Sequence, residues 1–382
     1  VAARSLKRLG GDGLEVTLVE REPRFVSCPL SNLVLAGLRP MDDITRPYAG
    51  LAAAGVRLLP GEAQAVDAAA RRVRLADGSE LPYDRLVLAP GIDFMTDEVS
   101  GLAAALAAGR LAHAWKAGAQ TARLRAQLQA MPEGGVFAIC IPLLPYRCPP
   151  APYERACLVA EYFQRAKPRA KVLVLDANPE VTAERVLFER AFAERYAGVI
   201  EYRPNNELKE VAAAGGRWLA RLEFEDVTAD VLNVIPPQRG GDLARRAGLL
   251  DINGRWAGVD WQTMESRAAP GIHVLGDAVF PAPAMPKSGH MAMQQGALAA
   301  AAIVRLLQGH EPGPAPELSS SCYSFVAGGA AGHLRSSYRF DAAERGFRPV
   351  PGATHVALTA DAQQAREAQL WAGQAWAEML AL

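Results

Sequence analysis

Cysteine is scarce in this chain, and what there is does not pair locally. Five cysteines, Cys28, Cys140, Cys148, Cys157 and Cys322, stand among 382 residues with no Cys-x-x-Cys spacing. That excludes a disulfide scaffold and gives no support to a cysteine-ligated zinc or iron–sulfur centre. The six histidines are scattered and form no His-x-x-x-His pair, so no metal site is expected. Net charge is missing too: 41 basic residues balance 41 acidic ones, so neither nucleic acid nor an anionic membrane is an evident partner. Long apolar runs are absent. The Ala-rich stretch from Leu102 to Ala108 falls far short of the ~18 consecutive apolar residues of a spanning helix, so no transmembrane span is expected.

What is present is a globular composition, 50% hydrophobic and 21% charged. At ~100–200 residues per domain the length accommodates two or three domains, each large enough for a core. Glu15 to Glu20 is a short run rich in β-branched residues that ends in an acid, as a buried parallel strand of a dinucleotide-binding fold does when its carboxylate meets an adenosine ribose. Val1 to Leu9 would then be the helix after a phosphate-binding Gly-x-Gly-x-x-Gly loop. That loop and its strand are expected just upstream of Val1, so the lack of a signal peptide carries no information on export. Glu20 also fits a plain solvated strand end.

A hairpin is expected from Val73 to Leu75, through a turn at Asp77-Gly78, into Tyr83 to Gly91. Ala89-Pro90-Gly91 offers small residues where a nucleotide can approach the backbone. Gly271 to Leu275 is a further strand, running into Gly276-Asp277, whose acid can bond a ribityl or ribose hydroxyl. Taken in this order, the pieces read as the FAD domain of a flavoprotein with two dinucleotide-binding folds. Between them lies a second α/β unit: a strand at Gly135 to Ile139, a helix from about Ala151, and a strand at Lys171 to Asp176. Its first turn, Pro142 to Pro150, is crowded with prolines and bulky side chains where phosphates would need room and amide donors. This unit therefore keeps the architecture without binding NAD(P)H, and Asp176 is a relic or a simple strand-end acid. From about Leu318 come short strands around Cys322–Val326, Ser337–Phe340 and His355–Leu358, then a helix from Asp361 to Leu382.

Six segments resemble the flavoprotein subunit of flavocytochrome c sulfide dehydrogenase, in family order across nearly the whole chain. They are Ser27 to Asn32, His113 to Gly118, Arg147 to Ala156, Ile235 to Arg239, Met285 to Gly289 and Cys322 to Ser324. Pro29 and Ala151 depart from the family pattern, as does the missing glycine loop. The resemblance implies an α/β fold with two Rossmann-type domains of the glutathione-reductase-like class and a small α+β C-terminal domain. The expected division is 1–112 with 257–317 for FAD, 113–256 for the NAD-like unit, and 318–382 for the interface domain.

The resemblance further implies FAD joined covalently to Cys28, with Glu20, Pro90, Gly91, Gly276, Asp277, Lys287 and Ser288 around the cofactor. It makes Cys148 and Cys322 a redox disulfide open to attack by sulfide, with Cys322 nearer the flavin. Glu154 becomes a candidate general base if burial raises its pKa, and Arg155 its ion-pair partner. Lys287 and Ser288 would supply a cation and amide donors at the N1–C2 edge of the flavin. The implied partner is a c-type cytochrome subunit, and the implied compartment the periplasm. Plainer readings accompany each: Cys28 as a buried free thiol, the disulfide as a structural tie, Glu154 as a charge near a helix N-terminus. Cys140 and Cys157 match nothing in the family, and Cys157 reads as helix core. A sulfide:quinone oxidoreductase is the runner-up, followed by an NAD(P)H-dependent disulfide reductase and by a non-catalytic scaffold without FAD.

Overall fold

The computed structural model describes residues 1–382. Helix α1 (Ala2–Gly10) carries Lys7 and Arg8 in its last turn, where cations suit the helix C-terminus. Strand β1 (Thr17–Glu20) pairs in parallel with β2 (Arg57–Pro60), which sets Glu20 opposite Pro60. The chain between them holds Cys28 and the short helix α2 (Ser31–Leu35).

An antiparallel meander follows, Ala63–Asp67, Arg72–Leu75 and Glu80–Pro82. Here the hairpin expectation is corrected. The Asp77-Gly78 turn returns into Glu80–Pro82, and β3 (Leu86–Leu88) leaves the meander to join another sheet. The reason lies in the side chains: Arg72–Leu75 alternates exposed and buried residues, whereas Leu-Val-Leu is apolar on both faces and suits a parallel sheet covered on both sides.

The central unit is a four-stranded parallel sheet. Its strands are β4 (Val136–Ile141), β5 (Lys171–Asp176), β6 (Ile200–Arg203) and β7 (Val231–Val234), in spatial order β6-β5-β4-β7. Helix α3 (Ala151–Ala166) crosses from β4 to β5, with Pro150 and Pro152 at its start, where a missing N–H costs nothing. Tyr153, Ala156, Cys157, Ala160 and Phe163 bury its inner face in the largest core cluster, so Cys157 is helix core as expected. Helix α4 (Arg185–Arg190) follows Glu184. A second antiparallel meander, Leu208–Ala214, Arg217–Leu222 and Asp226–Ala229, is inserted before β7.

The chain then returns to β3 through β8 (Ile272–Val274), parallel to it. Helix α5 (Gly289–Leu307) starts at Ser288, whose hydroxyl accepts from the Met291 amide at 3.2 Å. It packs on α1, and a Cβ at Gly296 would come within 3.2 Å of the Ala2 nitrogen.

The last unit is the antiparallel sheet of β9 (Leu318–Ala327), β10 (Ala330–Asp341) and β11 (Gly346–Pro349), backed by α6 (Ala362–Leu380). Small residues Ala365, Ala368, Ala372 and Ala375 form the buried stripe of α6, which lets it lie close to the sheet. Strand β9 is an edge strand, and its free backbone groups are taken up by the central unit. Glu154 accepts the Phe325 N–H (2.9 Å), Glu161 the Gly328 N–H (2.8 Å), and Tyr196 donates to the Val326 carbonyl (2.6 Å). Glu154 and Glu161 are seven residues apart on one face of α3, so one helix closes one strand edge.

Candidate active site

The site begins at the turn after β4. Arg147 and Cys148 lie there, with Cys148 held at φ 56°, a left-handed conformation that a cysteine adopts only when its surroundings impose it. The Cys148 N–H donates to the Lys287 carbonyl at 2.8 Å, and the Arg147 N–H to the Gln238 side chain at 3.0 Å. The loop is thus pinned from both sides.

The Arg147 guanidinium donates to the Cys28 sulfur at 3.1 Å and to the Trp115 carbonyl. Cys28 sits in a loop held from the far side of the molecule: the Trp376 indole of α6 donates to Ser27 at 2.9 Å, and the Cys28 carbonyl accepts from Ser31 at the start of α2. Residues more than a hundred positions apart in sequence therefore converge on one guanidinium.

Cys322 stands on β9. Its sulfur lies 3.9 Å from the Ser320 hydroxyl, which is 3.3 Å from Ser288. All five cysteines are free thiols, so the Cys148–Cys322 bond expected from the sequence is not formed in this structure. Burial, then Cys322 and Glu154, drive the Cys148 thiol well above its usual range. Cys148 nevertheless remains accessible to water, whereas Cys322 is half-buried.

Glu154 is fully engaged. One oxygen accepts from Asn32 (2.8 Å) and the other from the Phe325 N–H, while burial raises its pKa to about 7. Arg155 is not its ion-pair partner, contrary to expectation. Its guanidinium turns inward to Asn32 (3.0 Å), Asn233 (2.8 Å), and the carbonyls of His113 (3.0 Å) and Ala114 (2.6 Å). The backbone from His113 to Trp115 thus presents successive carbonyls to two arginines, a dense acceptor set that guanidinium donors match better than a single carboxylate would. His113 itself is no base: burial, then the positive charge of Arg155, lowers its pKa to about 3.

Asp277 and Gly276 follow β8 and line a narrow cleft with Lys287 and Ser288. One Asp277 carboxylate oxygen is buried there without any hydrogen-bond partner, and Gly276 and Gly91 both take positive φ. An orphaned acceptor beside close-approach glycines fits a hydroxyl-bearing ligand such as the ribityl chain of FAD. Pro90 packs on Gly241, whose added Cβ would sit 2.7 Å from it. Glu20, at the end of β1, accepts the Glu22 N–H at 2.9 Å and lies apart from the thiols. The Lys287 ammonium donates to the Asp277 (2.9 Å) and Val279 (2.5 Å) carbonyls and lies 3.7 Å over Trp256. Burial lowers its pKa to about 7, because desolvation disfavours the ammonium.

Residues 121–236 match the family model for the central part of the sulfide dehydrogenase [flavocytochrome c] flavoprotein chain, and residues 314–380 that for the flavocytochrome c sulphide dehydrogenase flavin-binding part. Both segments match models of the flavocytochrome c sulfide dehydrogenase flavoprotein family. The two family segments carry Cys148, Glu154 and Cys322, while Cys28 lies outside both. Mouse mitochondrial sulfide:quinone oxidoreductase is 24% identical over 290 residues, an alignment covering 72% of this chain and 62% of that protein. The chain thus spans less than two thirds of that relative's length. The sulfide:quinone oxidoreductase structure from Aquifex aeolicus superposes with a TM-score of 0.80 at 19% identity, over 99% of this chain and 88% of that one. A ferredoxin reductase from Rhodopseudomonas palustris follows at 0.66 and 18%, over 94% and 88%. These likenesses show that the chain has the two-Rossmann-domain fold.

Sequence reasoning quoted Arg147 and Asn32 inside motifs without giving them roles. It missed Glu184 altogether, because nothing in its local pattern separates it from a surface acid.

Proposed function

We propose that this chain oxidises sulfide at the Cys148/Cys322 pair and passes the electrons through FAD, held by Cys28, to a c-type cytochrome. The observation that carries the reading is the Arg147 guanidinium, which donates to the Cys28 sulfur at 3.1 Å from the residue next to Cys148. Hydrosulfide attacks the oxidised pair, the S–S bond breaks, a persulfide forms on one cysteine and the other leaves as a thiolate. Cys148, the water-accessible sulfur, takes the incoming sulfur, and Cys322 receives the negative charge. Glu154, poised near pH 7, takes up the proton that the sulfide sulfur sheds. Asp277, Gly276 and Gly91 fit the cofactor's polar chain, and Arg147 orients Cys28 by donating to its sulfur. Bound FAD would accept an electron pair and release it singly.

The central unit takes no pyridine nucleotide in this reading. Asp176, the strand-end acid such a ligand would use, is consumed by Tyr153 (2.6 Å), Tyr202 (3.1 Å) and Asn178 (2.8 Å). Quinone is the alternative acceptor, favoured by the likeness to the two sulfide:quinone oxidoreductases, although no helix here is long and apolar enough to cross a membrane.

Absorbance of the purified full-length protein after acid precipitation tests the covalent link: the flavin band should stay with wild type and be released from Cys28→Ser. Rapid mixing with sulfide should bleach the band, and cytochrome c, more than a soluble quinone, should restore it. Bleaching by reduced pyridine nucleotide and not by sulfide would overturn the assignment.

A further inference from the structure

A second carboxyl group reaches β9 from the central unit. Glu184 is only 4% exposed and precedes α4 at φ 50°, a left-handed conformation that costs a non-glycine residue ~1–3 kcal/mol. One of its oxygens accepts from the Ser324 hydroxyl, and the other is buried with no partner at all. Ser324 lies two residues beyond Cys322, so both side chains project from the same face of the strand. Ser288, Ser320, Cys322 and Ser324 thus form one polar row on that face, closed at one end by the cap of α5 and at the other by Glu184.

A carboxylate oxygen buried without a donor strongly favours the neutral acid. Burial accordingly raises the pKa of Glu184 to about 7, and the nearby Glu154 adds to the rise. Among charged groups acting on the Cys322 thiol, Glu184 stands first, ahead of Glu154. The remaining ionisable groups around the pair are Cys148 and Arg147 on the loop after β4, Arg155 on α3 and Tyr338 on β10.

We infer that Glu184 is a positioning residue for Cys322: as a neutral acid it permits the Cys322 thiolate, and as a carboxylate it suppresses it. The idea rests on the proposed sulfide reaction for its purpose. When hydrosulfide opens the disulfide at Cys148, one negative charge arrives and one leaves on Cys322, with no net electron gained or lost by the three sulfurs. A protonated Glu184 accommodates that charge, and an ionised one opposes it. The exchange therefore slows as pH rises through neutrality, even though more sulfide is then ionised.

The test follows the thiols themselves. In the reduced full-length protein, the rate of Cys322 alkylation by iodoacetamide is measured by site-resolved mass spectrometry between pH 6 and 9. Glu184→Gln should raise the Cys322 rate about tenfold at pH 8.5, equivalent to about one pKa unit, with the Cys148 rate changed far less. It should also abolish a wild-type flattening of the profile near pH 7. Ser324→Ala removes the only donor to Glu184, keeps it neutral to higher pH, and should shift Cys322 in the same direction by a smaller factor. An unchanged Cys322 profile in folded Glu184→Gln, or Cys148 accelerating as much as Cys322, would refute the inference. If Glu184→Gln does not fold, Ser324→Ala decides: no shift, or a slower Cys322, would refute it equally. Because alkylation needs no sulfide, a shifted profile in a protein that sulfide fails to bleach would count against the proposed activity alone.

Discussion

Asp176 ends a parallel strand of one α/β unit and Asp277 follows a parallel strand of another, yet they have opposite fates. Asp176, fully buried, receives Tyr153 and Tyr202 hydroxyls and both the amide and side chain of Asn178. Asp277 keeps a buried oxygen with no partner, inside a cleft that Gly276 and Ser288 help to line. One carboxylate has become part of the scaffold, and the other waits for a donor. The difference teaches that a strand-end acid does not identify a ligand site. Its unsatisfied valence does, because a buried acceptor without a donor costs ~1–3 kcal/mol that only a ligand or water can recover.

The sharpest way to break this contrast is Asp176→Ala. It leaves two buried hydroxyls and a buried amide without their acceptor, so unfolding in urea should show a loss of ~3 kcal/mol with FAD content unchanged. A loss of flavin instead would make the two acids equivalent. Asp277→Ala should behave conversely. In a Cys28→Ser background, where retention is reversible, FAD affinity measured by fluorescence quenching should fall about tenfold, while the melting temperature of the flavin-free protein stays near its starting value.

The buried acids on the β9 side give a smaller effect with a defined sign. Glu154 and Glu184 each titrate near pH 7 in the fold, against a usual value of 4.5. The folded state therefore binds their protons more tightly than the unfolded chain does. The stability this confers is complete below about pH 4.5 and is lost as pH rises through about 7. Melting temperature should drop by a few degrees between pH 5 and pH 7.5 on this account, and the combined Glu154→Gln, Glu184→Gln variant should flatten the dependence. Least of all, Tyr202→Phe removes one of several donors to Asp176 at 3.1 Å and should cost about 1 kcal/mol or less in urea unfolding.

Local pattern reached the strands that are apolar on both faces, because their length and β-branched content leave few alternatives. Lys171–Asp176 was legible to the residue, and the helix from Ala151 needed only its leading prolines. It misjudged Leu86–Leu88, where a turn signal at Asp77-Gly78 suggested a neighbour in sequence and the sheet chose one nearly two hundred residues away. The inserted meander from Leu208 to Ala229 went unread, since Ala-rich alternation is a weak strand signal. At the site, Cys28, Cys148 and Cys322 were legible because cysteine is rare here and its flanks are distinctive. The pairing of Arg155 was not: an adjacent Glu and Arg invite an ion pair, but on a helix neighbouring residues point about 100° apart, and Arg155 faces inward to Asn233 and the His113–Ala114 carbonyls.

By itself the sequence determined which chemistry the molecule carries, since thiols, carboxyls and close-approach glycines are properties of residue type. Only the tertiary structure decided how those groups are employed. Hydrogen-bond satisfaction is a property of neighbours brought from distant segments, so a guanidinium donating to Cys28, a saturated Asp176, and a buried Glu184 beside Ser324 exist only once the chain has closed on itself.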